Sequence, residues 1–148
     1  MSTVPHAEHT VVISRSADDV FDYLADGRNN PQWRPGVLEI ERTSSEVGVG
    51  ATYRQMMRGP GGRKIAGDYR VTRYDRSQNL AFEVVAGPAR PVGSFELTPI
   101  DADSTRVTFR LAASPAGLMR LMSPMIAKQM RAETAQLENL KARLESQE

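Results

Sequence analysis

"HTVVISRSADDVFDYLADGRNNPQW", residues 9–33, passes from a strand to a capped helix to a proline-bound turn. "HTVVIS" (9–14) is a β-branched run that reads as a strand. Ser16 and Asp19 then stand at N-cap and N3 spacing, the signature of a capping box. In "VFDYLA", Val20, Phe21 and Leu24 fall on one helical face. "DGRNNPQW" breaks that helix, with room for a second short helical turn. It carries the single Trp of the chain, Trp33, set between Pro31 and Pro35, which remove backbone donors and bias the residues before them away from helix.

Downstream, the pattern changes to alternation. Residues 37–43, 51–58, 64–74, 80–86, 93–100 and 105–113 read as strands, separated by "SSEVGVG", "GPGGR", "DRSQN", "GPARPV" and "DADS", all rich in turn formers. In the last strand Val107, Phe109 and Leu111 alternate with Arg106, Thr108 and Arg110, which predicts one buried and one wet face. The tail reads as a long helix that Ser123 caps and Pro124 enters at its first position. Leu118, Met122, Ile126, Met130, Leu137, Leu140 and Leu144 form its apolar stripe. Strand, helix, six-strand meander and long helix make an α+β architecture by segregation of element types.

The bulk properties exclude several classes. A chain of 148 residues with 40% hydrophobic and 25% charged residues fits one globular domain over 1–148. The formal net charge of +1 argues against nucleic acid or a polybasic membrane contact, since both require a concentrated positive face. No apolar run approaches the ~20 residues that span a bilayer, so no stable membrane insertion is expected. With no cysteine there is no disulfide, thiolate site or Cys nucleophile. The N-terminus has no basic region followed by an apolar core, which gives cytoplasmic localisation as the expectation.

Motifs for chemistry are few. The histidines, His6 and His9, lie before or at the first strand, too few for a metal site, and no Ser-His-Asp arrangement can be drawn through them. "GPGGRK" lacks the spacing and the following helix of a phosphate loop, and "VGVG" is followed by a strand, so no cofactor is expected. Asp18 and Asp19 answer to the helix macrodipole in a first helical turn.

The same element order resembles the START-like/Bet v1-like (SRPBCC) superfamily, and within it the polyketide cyclase/dehydrase-type small proteins. "VVISRSADDVFDYLAD", the Trp in the turn after it, "VGVGATYR", "YRVTRYDRSQNLAF" and "NLKARLES" carry the likeness over roughly residues 8–146. It implies a helix-grip fold, in which a seven-stranded antiparallel sheet wraps around the C-terminal helix, with two short helices between strands 1 and 2. It also implies a hydrophobic cavity between sheet and helix that binds lipids, polyketides or quinones. A minority of such proteins are enzymes, with polyketide cyclase, aromatase or dehydratase activity as the alternative reading. A protein-interaction or chaperone-regulator module is a third.

In a meander, alternate connections fall at one end of the sheet. Trp33, the turns at 59–63 and 87–92, and the start of the last helix therefore share one rim, where a ligand enters. Phe82, Val84, Phe95, Leu97, Val107 and Phe109 are wall candidates. Met57, Met122, Met125 and Ile126 are flexible or apolar ligand contacts, or ordinary core. Tyr53, Gln55, Tyr69 and Gln129 supply polar atoms to a ligand, or lie on the sheet surface or rim. Arg54 and Arg58 alternate to the solvated face. Tyr53, Tyr69 and His9 are the catalytic candidates should there be an enzyme; His9 either shares a face with Val11 and Ile13 and looks into the cavity or lies at a solvated strand end. Trp33 is a ligand contact or a plug. A hydrophobic small molecule is the expected partner, and the protein a monomer or homodimer.

Overall fold

The computed structural model describes residues 5–87, 89–115 and 117–146; the readings above that touch residues 1–4, Pro88, Ala116 and the last two positions lie outside it. The chain runs β1 (His6–Ile13), α1 (Ala17–Ala25), a 3-10 turn (Gly27–Asn29), α2 (Asn30–Trp33), β2 (Val37–Arg42), β3 (Thr52–Arg58) and a second 3-10 turn (Pro60–Gly62). It continues through β4 (Lys64–Ala66), β5 (Tyr69–Asp75), β6 (Asn79–Val84), β7 (Val92–Asp101) and β8 (Ser104–Ala112). A 3-10 stretch (Gly117–Met122), α3 (Ser123–Ala135) and α4 (Leu137–Glu145) complete it.

All pairings are antiparallel, in the order β1-β8-β7-β6-β5-β3-β2, with β4 also on β3. The strand expected at 64–74 is split into β4 and β5. Both pair with β3 in one uninterrupted register, from Arg58↔Lys64 to Thr52↔Arg70, so they fill a single place and the sheet has seven strand positions. Gly67 at the split packs closely on β3: a Cβ there would stand 2.6 Å from Met57 Cγ. Asp68 completes the break by accepting the Gln55 N–H through its carboxylate at 3.2 Å.

Helix α1 starts as its sequence dictates: Ser16 Oγ accepts the Asp19 N–H at 3.2 Å. The return half of the box does not form, because the Asp19 carboxylate pairs with Arg15. Val20, Phe21 and Leu24 are buried beneath the helix. Strand β1 begins at His6, earlier than its β-branched run, because β8 extends to Ala112 and offers it a partner.

The C-terminal helix departs from expectation in three respects. Ser123 is its first residue and not its cap; the cap position is Met122, without a side-chain bond. The helix is interrupted at Gln136. Thr134 Oγ1 bonds back to the Met130 and Arg131 carbonyls at 3.0 and 3.3 Å, an arrangement that bends helices. Lastly, Leu118 and Met122 lie outside the buried stripe in the 3-10 stretch, exposed to solvent, and Ile126 is half-buried. The remaining stripe holds: Met130, Leu137, Leu140 and Leu144 are buried against the sheet's inner face with Val11, Ile13, Val107 and Phe109. Among the described residues no helix is long and apolar enough to cross a membrane.

Candidate functional site

Helices α3 and α4 both pack along β1, and α3 also reaches β8. The space under α3 is a cavity of about 180 Å³ that opens to the surface. Its sheet wall is Gln55 and Met57 of β3, Phe82 and Val84 of β6 and Leu111 of β8. Met125, Ile126, Gln129 and Met130 face them from α3. The mouth lies among residues 58–67, Ala86, 89–91 and 119–125, from the turns that meander parity puts on one rim. The sequence-derived candidates Gln55, Met57, Phe82, Val84, Met122, Met125, Ile126 and Gln129 thus come together around one space. Arg58 is solvated as expected and at the same time borders the mouth.

Trp33, Phe95 and Phe109 are inward-facing but do not line this cavity. Trp33 is 2% exposed and meets both phenylalanines edge-on, at 6.0 and 6.1 Å between centroids. The two phenylalanines stack at 4.4 Å. The place at the cavity that parity assigns to Trp33 belongs to its neighbour, Arg34.

Arg34 is the principal residue that sequence reading missed. Its guanidinium lies 5.7 Å from the Trp33 ring and 5.8 Å from the Phe109 ring, within cation–π reach. Its Nη2 donates to Glu133 Oε2 of α3 at 2.6 Å, and each side chain is only 8% exposed. The pair forms the charged inner end of a largely apolar cavity. The Arg34 Nε–H is buried without a partner among the described residues.

Behind Arg34 lies a chamber of about 20 Å³, bordered by Asn30, Tyr53, Tyr69, Phe82 and Phe95. Here the tyrosines have structural tasks. Tyr53 stacks on Tyr69 at 4.8 Å, accepts the Gly27 N–H at 3.3 Å and donates to the Ala25 carbonyl at 3.4 Å, which ties the end of α1 to β3. The Asn30 amide donates to Tyr69 Oη at 3.1 Å and to Gln55 Oε1 at 3.2 Å. Gln55 Nε2 in turn reaches the Gly67 carbonyl at 3.3 Å. Both hydroxyls therefore stand outside the main cavity. His9 does too: it shares the inner face with Val11 and Ile13, but α4 covers that face, and His9 Nε2 meets Glu138 at 2.6 Å.

Burial, with a smaller push from Tyr53, holds the Tyr69 phenol above its ordinary value of about 10. A raised folded-state pKa means that the neutral phenol's contribution is present in full below about pH 10 and falls away as pH rises further. Melting temperature is expected to decline above that pH, and Tyr69→Phe to flatten the decline. At neutral pH the variant is expected to lose about 1–3 kcal/mol, because Asn30 keeps a buried donor without its acceptor.

A family model described as polyketide cyclase / dehydrase and lipid transport matches residues 4–145. Among curated proteins no sequence match is found. Solved structures share the fold. TTHA0849 from Thermus thermophilus superposes with a TM-score of 0.80 at 18% identity, over 96% of this chain and 98% of that one. The Zhui aromatase/cyclase from Streptomyces sp. R1128 gives 0.72 at 19%, over 96% and 90%. Norcoclaurine synthase from Thalictrum flavum, in complex with dopamine and hydroxybenzaldehyde, gives 0.72 at 15%, over 99% and 89%. At such identities the likeness is one of fold.

Proposed function

Because the match runs over nearly its whole length, the chain belongs to the polyketide cyclase / dehydrase and lipid transport family, and from that premise we propose that it binds one hydrophobic or amphipathic small molecule under α3. The observation that carries this reading is the 180 Å³ apolar cavity with an open mouth and a single buried ion pair at its inner end. A dry cavity of roughly 150 Å³ suffices for benzene. The enclosed part therefore suits one ring or the end of an acyl chain, with the remainder of a longer lipid, polyketide or quinone leaving between the rim loops. Affinity comes from burial of apolar area, on the order of 25 cal/mol per Å² before ordering costs. Met57, Met122 and Met125 give the wall the adaptability that unbranched thioethers supply.

The cyclase reading has one foothold. It needs an acid–base group at the wall, and among the described lining residues Glu133 is the carboxylate present, held by Arg34. Turnover of a polyketide intermediate that Glu133→Gln abolishes would favour it.

Naphthoquinone, oleate and naphthalene are the probes for binding, read by thermal shift and native mass spectrometry. A ligand at 100 times its Kd is expected to stabilise the fold by about 2.7 kcal/mol. Val84→Trp, which fills the space from β6, is expected to weaken binding at least tenfold. No shift with any probe, or a Val84→Trp protein that binds as well as the parent, would overturn the proposal.

A further inference from the structure

Around the cavity mouth the charge is sorted in a way that the net charge conceals. Segments 58–67, 84–95 and 112–132 contain no Asp or Glu, in a chain that has 18 of them. They carry Arg58, Arg63, Lys64, Arg90, Arg120, Lys128 and Arg131, all exposed. None of these seven is ion-paired among the described residues; on the outer faces Arg54, Arg70, Arg73, Arg76 and Arg110 are, while Arg106 is not. From the same rim project Leu118 and Leu121, 84% and 79% exposed, with Met122 and Met125 partly exposed beside them. Apolar knobs among unpaired cations, at the opening of an apolar cavity, form one surface.

We propose that this rim docks on an anionic lipid bilayer, with Leu118 and Leu121 among the acyl chains and the cations at the level of the lipid phosphates. Interfacial binding draws on these two contributions together, buried apolar area and attraction to anionic headgroups. Other occupants fit less well. Nucleic acid satisfies the cations but leaves both leucines without an apolar partner. A second copy docking by a two-fold axis sets like charge against like charge. The docking stands independently of the ligand-binding reading; that reading enters only in making the bilayer the source or destination of the cavity's ligand.

The test is flotation of the full chain with vesicles of phosphatidylcholine alone, or of phosphatidylcholine and phosphatidylglycerol in equal parts. Binding is expected to be at least tenfold stronger to the anionic vesicles and to weaken as salt is raised. Leu118→Glu/Leu121→Glu and Arg63→Glu/Lys64→Glu are each expected to lower it more than tenfold, with the naphthoquinone thermal shift retained as evidence of an intact fold and cavity. Equal binding to neutral vesicles, undiminished binding by either double variant, or equally tight binding of duplex DNA would overturn the proposal. A protein that responds to a lipophile but ignores both vesicles overturns the docking alone. One that floats with anionic vesicles and responds to no lipophile overturns the ligand-binding reading alone.

Discussion

Glu133→Ala is expected to destabilise the protein by about 3–5 kcal/mol, among the largest losses available from one surface-distant carboxylate. Arg34 stays behind as a buried cation whose Nε–H already has no partner, now stripped of its carboxylate as well. The adjacent Trp33 and Phe109 rings offset a part of that, at about 0.5–2 kcal/mol, too little to replace a charge-assisted bond in a dry site. For a chain of this size the loss corresponds to a fall in Tm of roughly 10 °C. Arg34→Met carries a comparable cost in reverse, because Glu133 then becomes the orphan. The double variant Arg34→Met/Glu133→Leu is expected to recover most of it, since apolar replacements of similar volume often equal or exceed a buried pair in stability. Chemical denaturation of the parent, the double variant and its two single variants forms a double-mutant cycle. Single losses under about 1 kcal/mol that simply add in the double would show that the pair is not a desolvated link.

The pair also joins the parts that make the cavity. Arg34 leaves the turn after α2 and Glu133 sits in the last turn before α3 gives way at Gln136, so the bond holds α3 at its distance from the sheet. Loosening it is expected to change the cavity and the helix together.

Much of the fold is legible along the chain because it follows from local pattern. The alternation of Val107, Phe109 and Leu111 with arginines and threonine specifies β8 as it is observed, and Ser16 specifies the start of α1. The rim is legible because parity in a meander depends on counting strands, and the one miscounted strand, 64–74, splits without changing register. What is not legible depends on long-range partners. Glu133 interrupts an apolar stripe between Met130 and Leu137, which signals a partner but does not identify one 99 residues away. Arg34 lies within the stretch that holds Trp33, and the irregular turn decides which of the two adjacent side chains faces the cavity. The cations of the rim are invisible to a net charge of +1, because the acidic residues that balance them lie outside those segments.

Trp33→Ala is expected to cost about 3–5 kcal/mol while leaving the affinity for cavity ligands within a few-fold of the parent. The ring is 2% exposed, packs on Phe95 and Phe109 and bears the Arg34 guanidinium on its face. Its backbone carbonyl accepts the Asn139 side chain at 3.1 Å, which ties α2 to α4. That bond survives the substitution, so the loss reports the ring alone. Trp33 Nε1 has no hydrogen-bond partner among the described residues, and this makes a sharper comparison available. Trp33→Phe removes volume but no hydrogen bond, and its cost is expected to be on the order of 1–2 kcal/mol. Were the indole a ligand contact, both variants would weaken binding of naphthoquinone or oleate by tenfold or more at little cost in stability. The packing geometry predicts the opposite ranking: a large change in melting temperature for alanine, a small one for phenylalanine and little change in affinity for either. The turn "NNPQWRPGV" then divides its labour between neighbours, with Trp33 closing the core behind the cavity and Arg34 facing into it.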